Sequence, residues 1–235
     1  MSPLARGGGH RFRWVLDVDE EMALGFQRHL ALLPEPEQRH VLSFVQPADQ
    51  HRALASRLMQ RACVCLALAV EWPAVTLALT KGRKPFTTCA KPSSAPNFNY
   101  NVSHEGLAHD EAACEAAFQR LWSLKEAYIK ARGDGLGFAP LSRAAFHCAA
   151  AGRGAAVSAE LMLDGAPQPN WRFLCEPLPY GHCVSVALGP PSGVVDQLGA
   201  FKATLHGAPD PGAAAAGPSF TAVTLEQLLA AAGVV

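Results

Sequence analysis

The stretch Trp122–Gly133, WSLKEAYIKARG, contains an acidic and a basic side chain at a spacing that allows joint chemistry. Strong helix formers fill it, and a glycine such as Gly133 commonly follows a helix C-terminus. Trp122, Glu126 and Lys130 are four residues apart, so a helix brings them to one face. The acid and base form either a solvated ion pair or a metal-ligating carboxylate beside a phosphate-binding lysine. An exposed lysine titrates near ~10.4, which favours electrostatic clamping over service as a base.

A second candidate site is the basic turn Thr80–Phe86, TKGRKPF, which follows a predicted strand at 75–79. A glycine-containing loop with three cations can place backbone N–H groups and basic heads along a phosphate. Many surface loops have this composition, so the turn indicates an anion site only together with other motifs. Its candidate contacts are Lys81, Gly82, Arg83, Lys84 and Pro85.

A third motif is Asn97–His104, NFNYNVSH, in which polar and apolar residues alternate as in a half-buried strand. A nucleophile and base formed by Ser103 and His104 is one interpretation. The chain lacks a G-x-S-x-G turn there, and adjacent strand residues point to opposite faces, so a hydrolase site is disfavoured. A structural histidine at a strand end is the other alternative.

Together these motifs resemble the signature of the 4′-phosphopantetheinyl transferases, in the longer, monomeric form of that family. WSLKEAYIK is similar to the family's W-x-x-K-E-x-x-x-K, GRKP to its G-K-P, and NFNYNVSH to its N-F-N-x-S-H. The resemblance covers about 12–188 and the C-terminal tail. It implies an α/β (α+β) fold of two pseudo-symmetric subdomains, 12–106 and a truncated 107–189, before a linker and tail helix at 190–235.

The resemblance also implies an activity and its residues. The family moves 4′-phosphopantetheine from coenzyme A to a serine of an acyl carrier protein, such as a domain of fatty acid synthase, and releases 3′,5′-ADP. Glu126 and Lys130 are the implied catalytic residues, with Glu126 as a Mg²⁺ ligand. The implied coenzyme A contacts are Lys81, Gly82, Arg83, Lys84, Pro85, Asn101, Val102, Ser103, His104, Glu126 and Lys130. Because GRKP has one residue more than the family's G-K-P, either Arg83 or Lys84 could take the place of the family's lysine.

The sequence departs from the family pattern in two places. The family's G-[IV]-D, whose Asp is a magnesium ligand, is absent from residues 101–126, where a block of several dozen residues is missing. Asp110 and Glu111 resemble the acidic start of a helical segment, which leaves open whether either one serves the metal. Ala48 replaces an arginine that contacts coenzyme A, and Arg52 is its candidate substitute. An impaired variant that at most binds coenzyme A or a carrier protein is therefore the alternative to an active enzyme.

An α/β binding module unrelated to this family is a third possible class of protein. Composition limits the other classes. Twenty basic residues balance twenty acidic ones, which argues against nucleic-acid and polybasic membrane partners. The most apolar run, Ala62–Val70, is too short to span a bilayer, and the N-terminus lacks the apolar core of a signal peptide. Seven cysteines without a C-x-x-C pair predict reduced thiols in the cytosol rather than a zinc site. We expect a monomer.

The hydrophobic pattern predicts the elements that hold the motifs. We expect a strand at 11–18, a helix at 20–32, and a long helix at 50–70 capped by Asp49. On the Trp122 helix, Leu121, Leu124 and Ala127 are expected to face the core, with Tyr128 and Ala131 pointing elsewhere. The later elements are strands at 143–148, 156–163, 171–176 and 181–188, a linker at 190–219, and a helix at 220–232.

Overall fold

The computed structural model describes residues 12–23, 25–103, 113–149, 156–178, 182–206 and 220–234. The helices are α1 (Val18–Ala23), α2 (Phe26–Leu30), α3 (Glu35–Leu42), α4 (Pro47–Leu68), α5 (Ala113–Arg132) and α6 (Leu225–Ala231). The strands are β1 (Trp14–Val15), β2 (Leu77–Leu79), β3 (Pro85–Thr87), β4 (Ala144–Cys148), β5 (Val157–Leu163), β6 (Ala166–Pro167), β7 (Arg172–Pro177), β8 (Cys183–Leu188) and β9 (Thr221–Ala222). This mixture of helices and strands confirms the predicted α/β (α+β) class.

The chain divides into two compact units, and neither is continuous in sequence. The first takes in the described parts of 1–77, 87–104 and 219–235. The second takes in 78–86 and the described parts of 105–218. The basic turn therefore belongs to the same unit as α5.

The first unit is organised around α4, whose buried Leu54, Leu58 and Ala62 recur at helical spacing. A buried ion pair ties α4 to α3, because Arg61 Nη2 lies 2.8 Å from Glu37 Oε1. Arg61 Nη1 also donates to the backbone carbonyl of Trp72 at 3.2 Å, so the buried guanidinium has hydrogen-bond partners as well as an opposite charge. Among the described residues, no helix has the length and apolar character needed to cross a membrane.

In the second unit, α5 packs on one face of an antiparallel sheet. The strand order is β4-β5-β7-β8, with β6 paired to β5. Along β5 the buried residues Val157, Ala159 and Leu161 alternate with exposed ones, as expected for a sheet covered on one side. The four predicted strands between 143 and 188 are confirmed within one or two residues at the ends that the structure describes.

The buried face of α5 differs from the prediction. Leu124 and Tyr128 are almost fully buried, whereas Leu121 is 40% exposed. Tyr128 can enter the core because its hydroxyl accepts a hydrogen bond from Arg132 Nη1 at 3.0 Å. Its ring packs edge-on against Trp171, at a centroid distance of 4.9 Å. The prediction is confirmed for Leu124 and was wrong for Leu121 and Tyr128, because the hydrogen bond that lets Tyr128 enter the core is not visible in the spacing of apolar residues.

Two predictions in the N-terminal part of the first unit were wrong in extent. The strand expected at 11–18 is limited to β1, because its parallel partner β9 is only two residues long. The helix expected at 20–32 is interrupted at Gly25, which has a φ of −156° and lies outside the helical region.

Two further predictions in the first unit were also wrong. Asp49 does not cap α4, because Pro47 occupies its first turn and Gln46 is the residue before it. The described part of the stretch predicted as a strand, 97–103, forms no ladder. Its alternation survives, since Phe98, Tyr100 and Val102 pack into the core of the unit.

The stretch predicted as a linker, 190–219, is partly folded. Val194 and Phe201 are buried and form a small cluster with Phe86 of β3. Periodicity could not have revealed this cluster, since Leu198, which lies between its two buried residues, is 67% exposed. Residues 207–219 lie outside the described part of the chain.

Candidate active site

The acid and base of the first motif meet on the exposed face of α5. Lys130 Nζ lies 3.1 Å from Glu126 Oε2, and their side chains are 34% and 40% exposed, respectively. Trp122 continues this face one turn earlier and is 46% exposed. The predicted alignment of the three residues is confirmed, and their carboxylate and ammonium remain accessible to a ligand.

The basic turn is a tight loop that joins β2 to β3. Thr80 N donates to Lys84 O at 2.9 Å, and Arg83 N donates to Thr80 O at 2.9 Å. Arg83 adopts a φ of +63°, in the left-handed region that closes such a turn. Lys81 and Arg83 are exposed, and neither side chain has a hydrogen bond or ion pair with the described residues. These two cations are the accessible charges of the turn.

Lys84 lies in a different environment from the other two cations of the turn. Its Nζ donates to the backbone carbonyls of Lys130 at 2.7 Å and Ala131 at 3.3 Å. The ammonium also lies 5.1 Å from the centre of the Phe201 ring. Only 5% of the residue is exposed, and burial lowers the pKa of Lys84 to about 8. Of the two residues that could match the family's lysine, Arg83 is therefore the exposed one, and which of them contacts coenzyme A stays a prediction.

Backbone packing reinforces the contact between the turn and the end of α5. A Cβ added at Gly82 would overlap the carbonyl oxygen of Gly133, and one added at Gly135 would overlap the carbonyl oxygen of Gly82. Gly133 ends α5 at a φ of +87° and donates its N–H to Ile129 O at 2.8 Å, as the sequence predicted. Glycine is therefore required where the two loops meet.

The second unit thus brings the first two motifs together. Lys84 of the turn contacts the backbone of Lys130, which bears the catalytic ammonium inferred from the sequence. The turn carries the exposed cations Lys81 and Arg83, and α5 carries Lys130 and the carboxylate of Glu126. Such a set suits a phosphate group better than a neutral substrate, because charge-assisted contacts to phosphate oxygens are the strong ones.

The third motif belongs to the first unit. Val102 is half-buried against the core of that unit, whereas Asn101 and Ser103 are exposed. His104 lies outside the described residues, as do Asp110 and Glu111. The implied contacts of residues 101–104 with coenzyme A stay predictions. Ala48 lies in the first turn of α4, one turn before Arg52.

Arg52, the candidate substitute for the family's arginine, already has a partner. Its Nη2 lies 2.6 Å from Asp49 Oδ1, and both side chains are about 40% exposed. Exposed pairs of this kind contribute little to stability and separate at low cost. The structure therefore leaves the substitution as a prediction.

Metal-ligating groups are sparse in the described part of the chain. No cluster of three or more His, Cys, Asp or Glu side chains is placed there to hold a metal ion. Glu126 offers one accessible carboxylate, which suits a cation that takes its other ligands from a substrate and from water. Magnesium binds in this way, commonly through one or two carboxylates together with phosphate oxygens.

Comparison with known proteins identifies the class. The family profile for the N-terminal part of 4′-phosphopantetheinyl transferase matches residues 21–115. The profile for the 4′-phosphopantetheinyl transferase superfamily matches residues 98–187. The chain belongs to this superfamily and is a transferase.

Individual relatives agree with this class. A phosphopantetheinyl transferase from a Thraustochytrium species is 30% identical over 209 residues, covering 66% of this chain and 70% of the relative. The L-aminoadipate-semialdehyde dehydrogenase-phosphopantetheinyl transferase of Rattus norvegicus is 28% identical over 214 residues, covering 69% of each chain. Its counterpart in Xenopus laevis is 28% identical over 250 residues, covering 85% of this chain and 78% of the relative.

Each of these alignments is longer than the number of residues that this chain contributes to it. The 69% of a 235-residue chain is about 162 residues, so about 52 of the 214 positions in the rat alignment have no residue of this chain. The Xenopus alignment leaves about 50 of 250 positions empty, since 85% of the chain is about 200 residues. Both values agree with the sequence-based prediction that several dozen residues are missing.

Proposed function

We propose that this chain transfers the 4′-phosphopantetheine group of coenzyme A to a serine of an acyl carrier protein or carrier domain. The observation that carries the proposal is the packing of the basic turn on the last turn of α5, with Lys84 bonded to Lys130 O at 2.7 Å. Two motifs separated by about forty residues of sequence are thereby neighbours in one unit. A pyrophosphate is stabilised by several cations, and the turn and α5 each carry some of them.

We assign a role in binding coenzyme A to each exposed cation. Lys81 and Arg83 bind the phosphates at the nucleotide end of coenzyme A, as exposed cations on a rigid turn. Lys130 holds the pyrophosphate by electrostatic attraction, and no deprotonation of the lysine is required for this role. The carrier serine hydroxyl attacks the β-phosphate, its proton passes to solvent, and 3′,5′-ADP leaves with the electron pair of the broken P–O bond.

We further propose that the reaction depends on Mg²⁺. Glu126 would supply one carboxylate oxygen, and phosphate oxygens and water would complete the ligands. When bound, the cation would neutralise charge that develops on the phosphate oxygens. This chain supplies fewer carboxylate ligands to the cation than the family pattern does. The Mg²⁺ concentration that gives a half-maximal rate should therefore be higher than for a family member with the G-[IV]-D segment.

The setting we propose is a cytosolic monomer that modifies carrier domains such as those of fatty acid synthase. The six cysteines described by the structure are all free thiols, which suits a reducing compartment. The names of the relatives, which are phosphopantetheinyl transferases, support transfer of this group, and fatty acid synthase as its target comes from the family resemblance.

A second candidate function is favoured by the empty alignment positions. A chain that lacks the G-[IV]-D segment also lacks the second carboxylate of the family's metal site. Removing one group that stabilises transition-state charge commonly lowers the rate by ~10²–10³. In that case the chain would bind coenzyme A or a carrier protein with little turnover.

Mass spectrometry of the carrier separates these functions. The purified chain is incubated with coenzyme A, Mg²⁺ and an apo carrier protein, and the carrier mass is followed over time. We expect an increase equal to one phosphopantetheine group. A carrier mass that stays unchanged through a long incubation, with a relative from the same superfamily as positive control, would exclude the enzyme.

A matched pair of variants tests the role of Glu126. Glu126→Gln should abolish transfer, because the neutral amide cannot balance a metal cation. Glu160→Gln makes the same chemical change at an exposed position of β5 and should leave transfer unchanged. Full activity in Glu126→Gln would refute the metal and catalytic roles assigned to this residue.

A further inference from the structure

Lys84 is the buried cation of a turn whose other two cations are exposed. Its three N–H donors are accounted for by two backbone carbonyls of α5 and the face of Phe201. With 5% of the residue exposed, the ammonium can reach an added phosphate only by leaving these partners. The geometry therefore argues against a ligand contact at this position.

The end of α5 explains why a lysine is placed there. The last four carbonyls of a helix lack partners within the helix and carry partial negative charge. Gly133 N–H satisfies Ile129 O, and Val195 N–H satisfies Arg132 O at 2.7 Å. Lys84 supplies the donors for the two carbonyls between them. All four carbonyls of the last turn of α5 are thus satisfied, and the middle two depend on one side chain.

We propose that Lys84 is a positioning residue of the transferase site: its ammonium clamps the basic turn to the backbone of Lys130. This inference rests on the proposed function, since it concerns where Lys130 lies relative to the cations that bind coenzyme A. The clamp joins the turn to the carbonyl of the very residue whose ammonium holds the pyrophosphate. Lys81 and Arg83 are left as the cations of the turn that meet the ligand.

The role predicts different kinetic effects for neighbouring residues of the turn. Arg83→Met removes a charge that binds the ligand equally in the ground and transition states, so KM for coenzyme A should rise about tenfold with kcat nearly unchanged. Lys84→Met releases the turn from α5 and misplaces Lys130. Its kcat should fall about tenfold or more, while KM for coenzyme A changes less than about threefold.

Hydrogen exchange in the free chain tests the clamp without any activity. Backbone amides in the last turn of α5, including that of Gly133, should exchange about tenfold faster in Lys84→Met than in the wild type. The same amides should be unaffected in Arg83→Met, the matched change one residue earlier. Unchanged exchange in Lys84→Met would refute the clamp by itself.

Lysine labelling of the wild-type chain needs no variant and so remains decisive if Lys84→Met does not fold. Reductive methylation followed by mass spectrometry should modify Lys81 in the free chain and less so with saturating coenzyme A. Lys84 should stay unmodified in both conditions. Labelling of Lys84 that coenzyme A suppresses, or an equal rise of KM in the Lys84 and Arg83 variants, would overturn the proposal. A wild-type chain that neither binds coenzyme A nor transfers refutes the proposed function instead, whatever the exchange data show.

Discussion

The buried ammonium of Lys84 makes the stability of the chain depend on pH in a defined direction. Burial lowers the pKa of Lys84 to about 8, from an ordinary value of 10.5. Below pH 8 the folded and unfolded chains both hold the proton. Between pH 8 and 10.5 the unfolded chain still holds it and the folded chain has released it. Because the unfolded state then binds more protons, the free energy of unfolding rises with pH across this window.

The size of this change in the free energy of unfolding follows from how far the pKa of Lys84 is lowered in the folded chain. One pKa unit corresponds to 1.36 kcal/mol, so Lys84 contributes a rise of up to ~3 kcal/mol between pH 8 and 10.5. The neutral amine still donates to the two carbonyls of α5, so the clamp itself persists. Burial also lowers the pKa of Lys91, to about 8, and that residue adds a change of the same sign.

Comparison with Lys84→Met isolates the contribution of Lys84. Urea unfolding of both proteins at pH 7 and pH 10 gives the difference in their free energies of unfolding, in which the Lys91 term cancels. We expect the wild type to gain on the variant by about 2–3 kcal/mol over this range. A difference that is flat, or that shrinks as pH rises, would refute the desolvated position of this ammonium.

Three further substitutions test contacts elsewhere in the two units. Glu37→Ala leaves the buried guanidinium of Arg61 without its carboxylate and should lower the free energy of unfolding by about 3–5 kcal/mol in urea; a loss below 1 kcal/mol would contradict this. Gly82→Ala should lower Tm by several degrees, because its methyl group overlaps a carbonyl, whereas Gly137→Ala, which has open space around the added methyl, should not. Thr224→Ala removes the capping box of α6 and should lower the free energy of unfolding by about 1 kcal/mol; an unchanged urea midpoint would argue against the cap.

The elements that sequence patterns predicted well are those set by local chemistry. The alternation along β5 is clear, with Val157, Ala159 and Leu161 buried. The end of α5 was also predictable, because Gly133 is placed where the chain must adopt a positive φ. The shared face of Trp122, Glu126 and Lys130 follows from helix geometry alone.

The elements that sequence patterns missed depend on partners far along the chain. The alternation of residues 97–103 is real, but a strand requires a neighbour to pair with, and the described chain offers none there. Tyr128 is buried because Arg132 meets its hydroxyl. Phe201 belongs to a cluster that only the fold assembles.

The same reason applies to the candidate site. Composition identified the turn as basic, yet it could not separate Lys81 and Arg83 from Lys84. The difference arises because the carbonyls at the end of α5 lie next to one of the three cations. A sequence shows which residues carry charge, but the burial of a particular ammonium is a property of tertiary packing.

The most direct test of the account is a double-mutant cycle on coenzyme A affinity, measured by titration calorimetry with Arg83→Met, Lys130→Met and their combination. If the turn and α5 hold phosphates of one coenzyme A molecule, each single change weakens binding and the two effects are non-additive by at least about 0.5 kcal/mol. Wild-type affinity in both single variants would contradict the shared site.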